Sequence, residues 1–127
     1  MPRSPSRPRA RDLGLDFPGR TGRWNAITDV GGIEVGYATL NDGMAGASAV
    51  RTGVTAILPH GREGVSTPVW GANFSLNGNG EMTGMHWLEE SGTFVGPVAI
   101  TNTHSVGAVH QGVLKWMLKH ADRRRLP

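Results

Sequence analysis

The chain has 127 residues, of which 38% are hydrophobic and 19 are glycine. This length suits one domain, but the apolar fraction is low for a self-contained core, and glycine is about twice as frequent as the usual ~7%. Because the sequence contains no cysteine, disulfide frameworks and thiolate metal sites are excluded. The composition therefore predicts either a turn-rich fold or apolar faces that are completed by residues outside this chain.

The formal net charge of +3 is concentrated at the two ends of the sequence. The first eleven residues carry +4 and the last nine carry +3, which leaves about −4 for residues 12–118. A nucleic-acid module should carry its positive charge along a folded face or groove. Nucleic acid is therefore not an expected partner, and a basic-tailed nucleic-acid binder is kept as a second alternative.

Three regions are predicted from composition. Residues 1–20 read as a flexible basic arm rich in Pro and Arg, residues 21–120 as an α/β domain, and residues 121–127 as a basic tail. The N-terminal arginines are not followed by the apolar run of a secretory signal, and no stretch approaches the ~20 apolar residues of a membrane span. We expect a cytoplasmic protein without a membrane partner.

The first half of the domain is predicted to be strand-rich. The β-branched and aromatic side chains within residues 33–40 predict a strand. The Asn-Asp-Gly sequence at residues 41–43 predicts a turn. Val50–Leu58 is the clearest strand and is ended by Pro59. A further short, partly buried strand is predicted over residues 69–76.

The second half is predicted to alternate helix, strand and helix. A glycine-rich turn at residues 77–81 leads into a helix over residues 83–90, which Gly92 closes in the left-handed conformation. Residues 95–101 predict a buried strand that begins at Pro97.

The last helix is predicted from its apolar spacing. Ser105 is its candidate N-cap, and apolar side chains then recur at helical spacing, namely Val106, Val109, Val113, Trp116 and Met117. The resulting order of strands and helices indicates a mixed α/β domain.

Several catalytic and cofactor patterns are absent from the sequence. It contains no Gly-x-Ser-x-Gly elbow, and the loop over residues 78–84 departs from the dinucleotide-binding spacing, so no cofactor is expected. His86 and Glu89 have a spacing compatible with metal ligands, but an exposed pair on one helix face is favoured, so no metal is expected. The helix that follows the glycine-rich turn could still offer backbone N–H groups to a carboxylate or a carbonyl oxygen.

Read together, six segments in order resemble the DmpA-type family of L-aminopeptidase/D-esterases and β-peptidyl aminopeptidases. They cover roughly residues 9–118 and comprise residues 9–14, 25–30, 33–36, 50–55, 77–84 and 96–103. The resemblance implies part of a stacked αββα sandwich similar to that of N-terminal-nucleophile hydrolases, incomplete in this chain. It also implies a serine-type aminopeptidase that releases N-terminal residues from peptides, amides or esters without a metal or cofactor.

In this family a precursor cleaves itself before a serine or threonine, and the new α-amino group acts as the base for its own hydroxyl, which its pKa of ~8 permits. Family members run to well over twice this length, and the resemblance places the nucleophile in the part that would follow. No catalytic residue is therefore assigned within this sequence. The chain is expected to be a truncated member that is inactive alone.

The resemblance leaves substrate-pocket candidates in two polar segments. One is the glycine-rich turn, with Asn79 and Glu81; the other follows the strand ending at Thr101, with Asn102 and Thr103. Their competing interpretation is a helix cap with satisfied loop polar groups. An exposed half-core also predicts homo-oligomers, and the functional alternative is a non-catalytic association domain that uses the same half-fold.

Overall fold

The computed structural model describes residues 8–43 and 49–120. Part of the predicted N-terminal arm and all of the predicted basic tail lie outside these residues. The strands and longer helices follow one another as β1 (Glu34–Asp42), β2 (Val50–Leu58), β3 (Val69–Trp70), α1 (Met85–Ser91), β4 (Thr93–Phe94), β5 (Val98–Thr101) and α2 (Val106–His120). Within the described residues, neither α1 nor α2 is long and apolar enough to cross a membrane.

A three-stranded antiparallel sheet in the order β1-β2-β5 forms the centre of the structure. β1 pairs with β2 along its whole length, from Glu34 opposite Leu58 to Asp42 opposite Val50. β5 then pairs with the other edge of β2. Side chains alternate between the two faces along each strand, and directly opposed residues share a face. The residues of the sheet therefore divide into those that turn toward α2 and those that turn away from it.

The predicted turn at residues 41–43 is wrong for its first two residues. Asn41 and Asp42 continue β1 and pair with Arg51 and Val50. The Arg51 guanidinium donates to the backbone oxygens of Asp42, at 2.6 Å, and of Gly43, at 3.1 Å. These bonds extend the ladder, so the left-handed conformation falls only on Gly43, at φ 78°.

The predicted strand over residues 69–76 is also wrong beyond its first two residues. β3 stops at Trp70 because that residue pairs with Thr93, the first residue of β4, and Gly92 before it closes α1. Gly71 still donates its N–H to the Gly92 oxygen at 3.0 Å. Without a partner strand the following backbone leaves the sheet, and Phe74 is 87% exposed.

β5 confirms the predicted strand but not its burial. Val98 and Ile100 are exposed, whereas Ala99 and Thr101 are half-buried on the side of α2. The alternation follows from the strand period of two in a sheet that carries a helix on only one face.

Both predicted helices are confirmed within two residues at their ends. α1 is closed by Gly92 in the left-handed conformation at φ 67°, with its N–H donating to the Leu88 oxygen. α2 spans Val106–His120, and Lys119 and His120 lie in its last turn. Positive charge at that end complements the helix dipole.

The segment before β1 is fastened by polar contacts. The Arg9 guanidinium donates to the backbone oxygens of Trp24, at 2.9 Å, and Asn25, at 2.8 Å. The Asp29 carboxylate accepts from the N–H groups of Trp24 and Ala26. Two of the segments that carry the family resemblance, residues 9–14 and 25–30, therefore hold each other in place.

The described residues form a small core. Val65 and Leu88 are the only large apolar side chains among them that are buried, at 5% and 6% exposure, whereas nineteen large hydrophobic residues are exposed. Four of the exposed ones lie on the face of the sheet that turns away from α2: Val35, Tyr37, Val98 and Ile100. We call this surface the open sheet face.

The pairing of β1 with β2 predicts opposite effects for two glycine substitutions. A Cβ at Gly53 would overlap the backbone oxygen of Ala38 in β1, whereas a Cβ at Gly36 would meet nothing within 4 Å. We expect Gly53→Ala to lower the free energy of unfolding by about 1–3 kcal/mol and Gly36→Ala to raise it slightly. Urea unfolding of the dilute chain, followed by tryptophan fluorescence, measures both, and equal effects would contradict the close approach at Gly53.

The open sheet face predicts self-association of the isolated chain. Contiguous exposed apolar surface drives association in water. Sedimentation velocity should show oligomers that grow with concentration, and Tyr37→Lys, in the middle of that face, should reduce them. Trp70→Lys, in β3 and therefore not on the open sheet face, is the matched control. A sharp monomer peak that persists at high concentration would refute the expectation.

Candidate functional site

The polar segment that follows β5 is fixed by two side-chain contacts to β2. Thr101 donates its hydroxyl to the Gly53 backbone oxygen at 2.8 Å, and Asn102 Nδ2 donates to Thr52 Oγ1 at 3.0 Å. Asn102 Oδ1 also accepts from the Ser105 N–H at 2.9 Å. Both ends of the Asn102 amide are therefore engaged in orienting the turn between β5 and α2.

The structure corrects the predicted cap of the last helix. A 3-10 turn, Thr103–Ser105, precedes α2, and its capping side chain is Asn102, which bonds the Ser105 N–H. Ser105 is thus the bonded donor at the entry to the helix. The same N–H also donates to the Asn102 backbone oxygen at 3.0 Å, so Asn102 closes the turn with both its main chain and its side chain.

The glycine-rich turn places the other two pocket candidates in an exposed loop. The Asn79 N–H donates to Asn77 Oδ1 at 2.9 Å, and Ser75 donates its hydroxyl to the Asn77 oxygen at 3.0 Å. Asn79 and Glu81 are both exposed. α1 begins four residues after Glu81, behind Gly84 in the left-handed conformation at φ 82°.

Within the described residues, a side-chain contact joins the glycine-rich loop to α2. His110 Nδ1 lies 3.4 Å from Thr83 Oγ1, so the end of the glycine-rich loop rests on the second turn of α2. That turn is about 6 Å along the axis from the start of the helix. Asn102 and Thr103 immediately precede the same end of α2, so the helix holds both segments at one end of the sheet.

The pocket candidates therefore share a region but do not bond one another. No hydrogen bond within the described residues joins Asn79 or Glu81 to Asn102 or Thr103, and Thr103 is exposed beside Asn102. Sequence reasoning missed the contribution of His110. Its partner lies 27 residues away, and no local pattern could have indicated that contact.

The favoured interpretation of His86 and Glu89 stays a prediction. Glu89 Oε1 lies 3.5 Å from Asn73 Nδ2. Across residues 8–43 and 49–120, no three His, Asp or Glu side chains converge as a metal site.

A groove of about 470 Å³ lies between the sheet and α2. Its apolar walls come from the inner face of β2, with Val54 and Leu58, and from α2, with Val109, Val113 and Trp116. Trp116 is held by stacking on His120, with ring centroids 4.5 Å apart. Sequence reasoning placed these side chains on the apolar faces of their elements but did not foresee an unfilled space between them.

Within the described residues, one ion pair lines the groove. Arg62 Nε lies 3.4 Å from Glu34 Oε2, and the two side chains are 77% and 52% exposed. Such an exposed pair contributes little to stability. It leaves the groove apolar inside and charged at one rim.

Comparison with known proteins identifies the family. Residues 25–126 match the model of Peptidase family S58. Two β-peptidyl aminopeptidases named BapA are similar: the one from Sphingosinicella microcystinivorans is 55% identical over 114 residues, and the one from Sphingosinicella xenopeptidilytica is 48% identical over 113 residues. These alignments cover 87% and 86% of this chain but 28% of each relative. The chain thus spans little more than a quarter of their length.

Solved structures agree with this relationship. The L-aminopeptidase D-Ala-esterase/amidase from Ochrobactrum anthropi, a serine aminopeptidase with a variant of the Ntn hydrolase fold, superimposes with a TM-score of 0.80 at 50% identity. That match covers 90% of this chain and 32% of the other. A β-aminopeptidase from Burkholderia sp. superimposes with a TM-score of 0.77 at 45% identity, covering 89% of this chain and 32% of the other.

These findings confirm the predicted resemblance and the predicted fold class, an α/β part of the N-terminal-nucleophile hydrolase fold. The family model extends over residues 25–126, well over half of the sequence. The chain therefore belongs to peptidase family S58.

Proposed function

We propose that this chain forms the N-terminal part of a serine-type aminopeptidase that cleaves its own precursor. The identity of 55% to a β-peptidyl aminopeptidase carries the proposal. The substrates are peptides, amides or esters with a free N-terminal amino group. The nucleophile, a serine or threonine freed by self-cleavage, is contributed by residues outside these 127.

The chemistry assigned to the full-length protein needs no metal or cofactor. The freed α-amino group takes the proton of its own hydroxyl as that hydroxyl attacks the substrate carbonyl, and an acyl-enzyme forms as the amine or alcohol departs. Water then releases the acyl group and restores the hydroxyl. In this scheme the described residues supply a wall of the substrate pocket.

Glu81 is the pocket candidate with the clearest chemical role. An aminopeptidase has to recognise a protonated amino group, and a carboxylate is a strong hydrogen-bond acceptor for it. Glu81 presents an exposed carboxylate on the loop that His110 holds against α2. Asn79 lies two residues away on the same loop, while Asn102 is engaged in fixing the adjacent turn. Asn102 and Thr103 therefore contribute to the shape of the proposed pocket. The loop with Asn79 and Glu81 contributes its negative charge.

The location of the nucleophile is tested by activity with and without the rest of a family protein. The isolated chain should release no p-nitroaniline from aminoacyl or β-aminoacyl p-nitroanilides. A chimaera in which this chain replaces the matched part of the Sphingosinicella microcystinivorans relative should cleave itself and turn the substrate over, because that relative supplies the missing nucleophile. Turnover by the pure 127-residue chain would overturn the assignment, as would a folded chimaera that neither cleaves itself nor hydrolyses substrate.

The role of Glu81 is tested in the same chimaera. Glu81→Gln should raise KM for substrates with a free amino group by about tenfold, equivalent to ~1.4 kcal/mol of lost binding, while kcat changes little. Glu63→Gln, which removes another exposed carboxylate, is the matched control. An unchanged KM together with normal self-cleavage would exclude contact between Glu81 and the substrate amine.

A further inference from the structure

The backbone of the glycine-rich loop, residues 77–83, bonds only to near neighbours within the described residues. Ser75 donates its hydroxyl to the Asn77 backbone oxygen, and the Asn79 N–H donates to Asn77 Oδ1. No backbone hydrogen bond joins residues 77–83 to a strand of either sheet within the described part of the chain. These local bonds fix the shape of the loop but not its position relative to the sheets.

Thr83 ends this loop without capping the helix that follows. The N-cap of α1 is Gly84, at φ 82°, which has no side chain to bond the first N–H groups of the helix. A threonine near the start of a helix ordinarily offers its hydroxyl to those groups. Thr83 Oγ1 lies instead 3.4 Å from Nδ1 of His110 on α2. The hydroxyl therefore joins the loop to a different element.

His110 projects from a helix that is seated on the larger sheet. α2 packs on β5, and Val109 and Val113 turn into the groove between α2 and that sheet. His110 is exposed and does not line the groove. Its side chain thus reaches the loop from a backbone whose position is set by the three-stranded sheet.

The glycine-rich loop itself is carried by the smaller sheet. It lies between β3 and α1, and α1 packs on β4, the partner of β3. At the start of the segment, Asn73 Nδ2 lies 3.5 Å from Glu89 Oε1, which is also on α1. The contact between His110 and Thr83 therefore connects a loop of the smaller sheet with a helix of the larger one.

We infer that His110 is a positioning residue for substrate recognition, which holds Glu81 beside α2 through Thr83. Glu81 is two residues from Thr83, so release of Thr83 would spread the carboxylate over many positions. A substrate would then have to order the loop as it binds, which weakens binding without changing the reacting groups. This inference rests on the proposed function, in which Glu81 binds the substrate amine.

The chemistry of the contact suggests which substitution should preserve it. A threonine hydroxyl both donates and accepts, and an imidazole nitrogen accepts when bare and donates when it carries a proton. An asparagine side chain offers an acceptor and a donor close to the place of the imidazole Nδ1. His110→Asn should therefore keep the contact, whereas His110→Ala removes it. Thr83→Val removes the hydroxyl and retains the branched shape.

Steady-state kinetics of the chimaera test the inference. His110→Ala and Thr83→Val should each raise KM for aminoacyl p-nitroanilides by about threefold to tenfold, as expected for one hydrogen bond, while kcat changes little. The double variant should show no further rise, because both changes remove the same contact. His110→Asn should restore the parent KM. Gln111→Ala, at the neighbouring exposed position of α2, is the matched control.

Proteolysis measures the anchoring of the loop independently of activity. A protease that cleaves after glutamate should cut folded His110→Ala after Glu81 severalfold faster than the parent, because a released loop reaches the protease more often. Cleavage after Glu63, in an exposed turn elsewhere, should not change. The same comparison applies to the dilute 127-residue chain, which contains both sides of the contact. Equal cleavage after Glu81 would overturn the inference, as would additive effects of His110→Ala and Thr83→Val on KM.

The two measurements together separate the inference from the proposed function. Faster cleavage after Glu81 in a folded His110→Ala chimaera, when the parent chimaera hydrolyses no substrate, supports the anchoring and contradicts the proposed activity. Hydrolysis with a KM that rises in Glu81→Gln but not in His110→Ala supports the activity and removes the positioning role.

Discussion

The antiparallel ladder between β1 and β2 is the interaction on which the rest of the described structure depends. It runs over nine residue pairs, from Glu34 opposite Leu58 to Asp42 opposite Val50, and Gly53 lets the two backbones approach closely. β5 adds to the free edge of β2. The end of β5 then sets the position of Asn102, which in turn orients the entry to α2. A disturbance of the ladder would therefore reach Asn102 through β2, both by the pairing with β5 and by the contact of Asn102 with Thr52.

The same ladder creates a surface that the described residues cannot cover by themselves. A sheet exposes two faces, and α2 covers only part of one. The open sheet face carries Tyr37, Val98 and Ile100, and the other face carries the groove beside α2. Burial of apolar surface is the main favourable term in folding. Covering these two surfaces would therefore supply much of the stabilisation of a complete sandwich. The low apolar fraction of the sequence agrees with the small core, because few apolar residues are available to form one.

Much of the fold could be predicted from local sequence patterns, because β2 and α2 are specified by their own residues. A β-branched run ended by a proline indicates a strand wherever it packs, and apolar spacing indicates the buried side of a helix. The errors concern elements whose extent depends on a partner. Residues 71–76 lack a strand to pair with, and Asn41 and Asp42 gain one. The cap fell on Asn102 instead of Ser105 because a 3-10 turn precedes the helix. The candidate site was predicted as two separate loops, since the contact of His110 with Thr83 comes from packing across 27 residues.

If the proposed function holds, the arrangement couples formation of the proposed substrate pocket to burial of the exposed faces of the sheet. The glycine-rich loop carries Glu81 in solvent, and His110 joins this loop to α2 through Thr83. α2 in turn is seated on a sheet whose other surfaces are exposed. A loop attached to a helix can be no more rigid than the packing of that helix on the sheet. The local stability of such packing increases with the number of buried apolar contacts. Polypeptide packed on the open sheet face would support β5, on which α2 is seated. Under the proposed function, any polypeptide that buries the apolar faces of this chain would thus also steady Glu81 and Asn102 relative to the proposed nucleophile.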